Sequence, residues 1–173
     1  MLYKFSDFLN ESKARLLFTN DCNRYCKGCC NRNWKGEPPR LVSVEDAKGY
    51  DEIFITGGEP MLYPEQLKEL ILNLKENNNI SKIFLYTALP YPKEKFLEIL
   101  DLIDGCTVTL HNFEDRRKFI ENEYDIMEFP DKAMKLNVFP RGNFKVSKSW
   151  NFRPKIWIKD APLPEGEDFI RLN

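Results

Sequence analysis

Net charge is the first thing this sequence lacks. Its 26 Lys and Arg residues offset 27 Asp and Glu, leaving −1 at neutral pH. Such balance excludes the strong one-signed field with which a dedicated nucleic-acid or membrane-surface binder attracts its partner. Long apolar runs are missing too. No segment has the length needed to span a bilayer, and the opening residues, Met1-Leu2-Tyr3-Lys4-Phe5-Ser6-Asp7, carry no apolar stretch of the secretory kind. There is no internal repeat and no low-complexity tract. Histidine is reduced to one residue, His111. Cysteine is present but unpaired in pattern: of five, four fall between Cys22 and Cys30, which is not the spacing of a disulfide framework. The reducing cytoplasm is the compartment consistent with such thiols, and there a crowded set reads as metal-binding.

What is present supports one core. A chain of 173 residues, 42% of them apolar, is expected to form a single domain over residues 1–173. Strands and helices alternate. Short apolar or β-branched runs predict strands at Arg15–Thr19, Glu52–Thr56, Lys82–Thr87, Cys106–His111, Lys135–Phe139 and Lys155–Lys159. Pro64 suits a first helical turn, and Leu67, Leu70, Ile71 and Leu74 recur at spacings of three and four, up to the Asn77-Asn78-Asn79 stop. A second helix is expected from Lys93, with Phe96, Leu97, Leu100 and Ile103 inward and Gly105 as its end. A third, with a thin apolar stripe, lies between Phe113 and Tyr124. Ser43–Lys48 has the signature of a short helix with Ser43 as cap and Asp46 in the box position. Ala161-Pro162-Leu163-Pro164 reads as an extended closing segment. The alternation implies an α/β fold with a parallel sheet and right-handed crossovers.

Two motifs carry chemistry. Cys22, Cys26 and Cys29 offer three thiolates from one loop, with gaps of three and then two residues. A structural zinc site takes four protein ligands, and an ordinary iron–sulfur cluster takes four cysteines. Three donors leave one metal position open. The second motif is Gly57-Gly58-Glu59-Pro60, just past the second predicted strand. Loops beyond the carboxyl ends of parallel strands build the ligand site, so both motifs are expected on one face. Adjacent glycines there allow a ligand to approach the backbone closely.

Together, Cys22-x3-Cys26-x2-Cys29 and Gly57-Gly58-Glu59-Pro60 resemble the radical S-adenosylmethionine (radical SAM) superfamily. The resemblance covers most of the chain. It implies a partial (β/α)6 barrel with a parallel sheet, a compact, minimal form of the radical SAM core. It implies that Cys22, Cys26 and Cys29 hold a [4Fe-4S] cluster whose fourth iron binds the amino and carboxylate groups of S-adenosyl-L-methionine. Gly57, Gly58, Glu59 and Pro60 are then the loop that contacts the methionine amino group. An electron from the cluster releases a 5′-deoxyadenosyl radical, which takes hydrogen from a substrate, and a flavodoxin or ferredoxin is implied as electron donor. The cofactor supplies the radical and the protein supplies position and shielding.

Within the superfamily, Cys26-Lys27-Gly28-Cys29-Cys30-Asn31-Arg32-Asn33-Trp34 is similar to the cluster loop of glycyl-radical-enzyme activases, especially activators of anaerobic ribonucleotide reductase. That likeness implies a glycyl-radical enzyme as protein substrate. Asn10-Glu11-Ser12-Lys13 departs from the Gly- and Arg-containing stretch usual upstream in those activators. The alternative within the superfamily is the enzyme that makes 7-carboxy-7-deazaguanine, or another nucleotide-modifying member. The alternative outside it is a non-catalytic metal-binding or electron-transfer module, with Cys30 or His111 as fourth ligand.

Other residues carry two readings each. His111 is a ligand or substrate contact, or a hydrogen-bonded structural group. Thr87 bonds the ribose or carboxylate of S-adenosylmethionine, or closes a turn into Ala88-Leu89-Pro90. Val138 lies beside the adenine or in the core. Glu59 is a polar contact in the site or a helix-start carboxylate, and Trp34 covers the cluster or anchors a loop. Cys30 reads as a bystander thiol and Cys106 as a small buried hydrophobe. From Lys132 to Lys159 there is no Asp or Glu. That stretch reads either as an anionic-substrate site using Arg141, Lys145 or Arg153 with aromatic stacking, or as solvated strand faces over the aromatic core residues Phe139, Phe144, Trp150, Phe152 and Trp157. The second reading is preferred.

Overall fold

A computed structural model describes residues 12–26, 29, 36–76, 81–126, 131–139, 145–156 and 166–173; side chains are described as far as residue 122 in the stretch ending at 126. Among the described residues eight strands form one sheet: β1 (Lys13–Thr19), β2 (Arg40–Val42), β3 (Glu52–Gly57), β4 (Lys82–Thr87), β5 (Gly105–Leu110), β6 (Ala133–Val138), β7 (Asn151–Pro154) and β8 (Glu167–Leu172). Their order is β2-β8-β1-β3-β4-β5-β6-β7, and every pairing is parallel. The sheet is open, with β2 and β7 as edges, which is the architecture of a partial barrel.

Among the described residues four α-helices connect the strands: α1 (Val44–Ala47), α2 (Pro64–Lys75), α3 (Lys93–Leu102) and α4 (Phe113–Ile126). β3, β4, β5 and β6 lie side by side in chain order. With right-handed crossovers, that order sends α2, α3 and α4 to the same face of the sheet. The apolar residues agree. Ala14, Leu16, Ile53, Ile55, Ile83, Leu85, Val108, Leu136 and Ile170 are fully buried in one cluster with Leu67, Ile71 and Leu74 of α2, and Phe96, Ile99 and Leu100 of α3. Period-two alternation turns the intervening residues, among them Arg15, Phe54, Phe84, Tyr86, Thr109 and Lys135, to the other face.

Local chemistry explains the elements. Ser43 caps α1: its Oγ accepts from Asp46 N while the Asp46 carboxylate accepts from Ser43 N, the reciprocal box expected from the sequence. Pro64 opens α2, where a missing N–H costs nothing. In α4 Phe119 is fully buried whereas Phe113 and Ile120 are exposed, as its thin stripe implies.

Four expectations need correction. The sixth core strand is Asn151–Pro154, not Lys155–Lys159: Lys155 and Ile156 follow it, and 157–159 lie outside the described residues. Gly105 does not end α3, whose cap is Ile103; it opens β5, where a Cβ would fall 2.4 Å from Ala133 O. Glycine is required there for the close approach of two strands. β5 stops at Leu110 and β6 at Val138, leaving His111 and Phe139 just beyond. Finally, β2 and β8 were unforeseen. β8 pairs with β1 and β2, and Arg15 and Glu167 join across it at 2.8 Å. Its sequence, Glu167-Asp168-Phe169-Ile170-Arg171-Leu172, presents one fully buried side chain, Ile170, too little for a periodic signal. Ala161–Pro164 lies outside the described residues. No helix among the described residues is long and apolar enough to cross a membrane.

If β8 is integral to the core, Ile170→Ala lowers unfolding stability by about 2–5 kcal/mol, as for a fully buried branched residue. Urea denaturation followed by circular dichroism measures it; an unchanged midpoint would mean β8 contributes no packing.

Candidate metal centre

The carboxyl ends of the parallel strands gather on one edge, and there the chain leaves β1 towards the cysteines. A bulge marks the exit: Leu17 pairs with Thr56 but Thr19 pairs with Gly57, so Phe18 is an extra residue. Such bulges re-aim a strand end. The loop beyond is stitched to the second motif through backbone. Gly58 N donates to Thr19 O at 2.6 Å, and Glu59 N donates to Asp21 O at 2.8 Å. Tyr63 Oη adds a bond to Asp21 Oδ2 at 2.5 Å.

The glycines are required by this contact. Gly57 has φ +137°, and a Cβ on it would meet Thr19 O at 2.3 Å; one on Gly58 would meet Asp21 O at 1.9 Å. The space freed by the missing side chains is filled by the root of the cysteine loop, so close approach serves the protein's own backbone. The two motifs share one face, as the strand order implies.

Glu59 is buried, and its carboxylate is fully engaged. Oε1 accepts from Thr87 Oγ1 at 2.6 Å and Met61 N at 3.1 Å, and Oε2 accepts from Ala88 N at 2.8 Å. Burial pushes its pKa up against the pull of these bonds and of Arg24. Pro60 is buried at the first position of a short 3₁₀ turn, Pro60–Leu62, which Glu59 caps. Thr87 also accepts from Leu89 N at 2.9 Å, closing the turn after β4. Glu59 and Thr87 therefore bond one another.

Arg24, between Cys22 and Cys26, was not singled out in the sequence, yet it spans the site. Its Nη1 donates to Asp115 Oδ2 at 2.7 Å and its Nη2 to Ala88 O at 2.8 Å. Burial opposes its charge, but Asp115, Glu59 and Cys26 more than offset this and raise its pKa. Asp115 also accepts from His111 N at 2.8 Å, and Asn112 Oδ1 accepts from Asp115 N, fixing the first turn of α4. The sole sequence signal for Arg24 is its place inside the cysteine spacing.

His111 stacks on Phe139, ring centres 5.9 Å apart. Burial, and then the Arg24 charge, lower its pKa to about 4. It is neutral at physiological pH, so its 3.9 Å approach to Asp115 Oδ2 is not an ion pair. It faces a cleft of about 560 Å³, shared with Cys26, Arg24, Tyr25, Asn112 and Lys118, a volume in the range of small-molecule sites. Val138 is fully buried in the core and does not line that cleft. Cys106 is buried at the amino end of β5, 3.8 Å from Met134 Sδ, with its thiol pKa raised by burial. Cys30, Trp34, Arg141, Phe144 and Trp157 lie outside the described residues.

Cys22, Cys26 and Cys29 form no disulfide and are partly exposed. Cys29 N donates to Cys26 O at 3.2 Å, a turn that brings the two residues close along the chain. Among the described residues no three His, Cys, Asp or Glu side chains are drawn close enough to grip a metal ion. The donor chemistry fits an iron–sulfur cluster all the same, being soft, unbridged thiols on one short loop.

A family model described as a 4Fe-4S single cluster domain matches residues 12–124. The chain belongs to that family. The match spans more than half of the chain and takes in the three cysteines, the Gly57–Pro60 loop, Thr87 and His111. The family is associated with radical SAM chemistry, so the protein is an iron–sulfur, radical SAM-like domain. No curated protein matches the chain.

Two outcomes follow. Gly58→Ala drives a Cβ into Asp21 O, costs at least about 1–3 kcal/mol, and lowers the iron and sulfide retained per chain after anaerobic reconstitution. The lone histidine makes the second unambiguous by NMR. Its ring resonances titrate near pH 4, not 6.5. Because the folded pKa lies below the unfolded one, the unfolded chain takes up the proton first as pH falls. The contribution of His111 to stability is thus complete above about 6.5 and lost between there and about 4.

Proposed function

We propose that the protein is a radical SAM enzyme in which Cys22, Cys26 and Cys29 ligate the [4Fe-4S] cluster and leave one iron for S-adenosyl-L-methionine. The reading is carried by one observation: three thiols, none in a disulfide, stand on a loop whose root is hydrogen-bonded to the Gly57–Glu59 backbone. Of the remaining described cysteines, Cys106 sits at the opposite end of its strand and is sealed in the core. Held by Cys22, Cys26 and Cys29, a reduced cluster would supply the one electron that cleaves the S–C5′ bond of S-adenosylmethionine into methionine and a 5′-deoxyadenosyl radical.

The chain's own residues hold and shield. The Thr19–Gly58 and Asp21–Glu59 bonds fix where the cysteine loop starts. Arg24, clamped by Asp115 and Ala88, fixes it again two residues before Cys26. Neutral His111 and the amide of Asn112 line the cleft beside Cys26, where S-adenosylmethionine is expected to lie. Restricted solvent and hydrogen bonding around cluster sulfurs are the levers by which a protein tunes such a centre. A flavodoxin or ferredoxin serves as electron donor, and the reducing cytoplasm suits both reduced thiols and the cluster.

Within this class the protein acts as an activase that raises a glycyl radical on a partner enzyme. The support is the likeness of the Cys26–Trp34 segment to activase cluster loops.

Anaerobic reconstitution with iron and sulfide, reduction, and chromatography for 5′-deoxyadenosine test the proposal. The expected result is product from the wild type, and neither cluster absorption nor product from Cys26→Ala. A fully loaded cluster that yields no 5′-deoxyadenosine would make the protein an electron-transfer module instead.

A further inference from the structure

The helices occupy one face of the sheet, and on the other face the register of β4–β7 lines up a row of polar groups. Tyr86 pairs with Thr107, and Thr107 with Lys135. Two residues nearer the carboxyl ends, Thr109 pairs with Asn137, and Asn137 with Arg153. Paired residues in a parallel sheet point to the same side, so these six share the face that Cys106, Val108, Met134, Leu136 and Val138 leave to them. Just beyond the second row His111 and Phe139 stack, and His111 lines the cleft beside Cys26. The polar rows therefore begin next to the candidate metal centre.

The charge on this face is uneven. On β1 both cations have an acid: Lys13 meets Glu52 and Arg15 meets Glu167, both at 2.8 Å, whereas Arg171 at the end of β8 has no acidic partner among the described residues. On the β6–β7 side Lys135 is half-buried and Arg153 exposed, and among the described residues neither has an acidic partner. The chain from Lys132 to Lys159 contains no acid to supply one. Asn137 Nδ2 and Thr109 Oγ1 are 3.5 Å apart, an open contact with capacity to spare. Adjacent strands lie about 4.8 Å apart and residues two along a strand about 6.6 Å apart. Two cations on neighbouring strands at that offset repel each other, and both reach a single anionic group set between them.

We infer that this face seats the substrate of the proposed radical chemistry, on whose existence the word substrate rests, and that the substrate carries a carboxylate or phosphate held by Lys135 and Arg153 with Thr109 and Asn137. Arg supplies a planar fork and Lys a point charge, a pairing suited to either oxyanion. Tyr86, at the far end of the first row and under the Arg15 guanidinium 5.2 Å from its ring centre, gives the seat an aromatic wall. The basic stretch, read from the sequence as solvated strand faces, thus has a receptor in it, made by β6 and β7 together.

The test uses the full chain with inorganic phosphate and with acetate as probes, each titrated by calorimetry at constant ionic strength. Saturable binding of phosphate alone assigns a phosphate-bearing substrate, and of acetate alone a carboxylate-bearing one. Lys135→Met and Arg153→Met each weaken that binding about tenfold to a hundredfold, the worth of one charged hydrogen bond. Lys135→Arg keeps most of it and shows that the loss is of charge, not of fold; Lys148→Met, exposed on the same stretch, leaves it unchanged. No saturable binding of either probe, or equal losses in Lys135→Met and Lys148→Met, overturns the seat. Since neither reductant nor S-adenosylmethionine is present, the outcomes separate: a chain that binds the anion but never forms 5′-deoxyadenosine loses the radical reading and keeps the seat, and the converse loses only the seat.

Discussion

Two stretches of backbone lying against each other, Thr19–Asp21 and Gly57–Glu59, hold the rest of the site in place. A side chain at either glycine would occupy the space taken by a carbonyl of the cysteine loop. With none there, the exits of two adjacent strands share two hydrogen bonds, and the cysteine loop starts from a fixed point on the edge of the sheet. A flexible loop of three thiols would have to pay the entropy of its own ordering on binding metal; anchoring its root removes part of that cost in advance.

A second layer of order is electrostatic. Glu59 and Arg24 are both withdrawn from solvent, and each is satisfied by groups from several loops. Glu59 ties the β3 exit to the β4 exit, and Arg24 ties the cysteine loop to the β4 exit and to α4. Removing one partner of such a pair strands the other in a medium that solvates it poorly. Burial, assisted by the Arg24 charge, keeps His111 neutral, which leaves an uncharged ring stacked on Phe139 at the wall of the cleft. Bonds from four strand ends converge there, so the edge behaves as one rigid rim.

Much of this was legible beforehand. Five of six core strands, the two long apolar helices and the Ser43 cap were readable because each writes its period or its cap into neighbouring residues. β8 was not, because Ile170 is its one fully buried side chain and Leu172 is only half-buried against the core, too little to write a period. Gly105 misled for a related reason: a glycine after a helical run resembles a stop, whereas its cause is Ala133, 28 positions on. For the site, the three cysteines and the glycine pair were legible, but the reason for the glycines was not. Glu59 and Thr87 each carried two readings in the sequence, and what no local signal showed is that they bond one another.

By itself the sequence determined the donor set: three thiols on one loop, a glycine pair at the next strand exit, and a basic stretch without acids. Donor identity and short spacing are local covalent facts that need no fold to be read. The tertiary structure alone decided which groups meet. Arg24 and Asp115 are 91 positions apart, and Lys135 and Arg153 share a face only because β6 and β7 pair in one register. Contacts of that kind depend on strand order and on the alternation of side chains across a sheet, and no stretch of the chain records them.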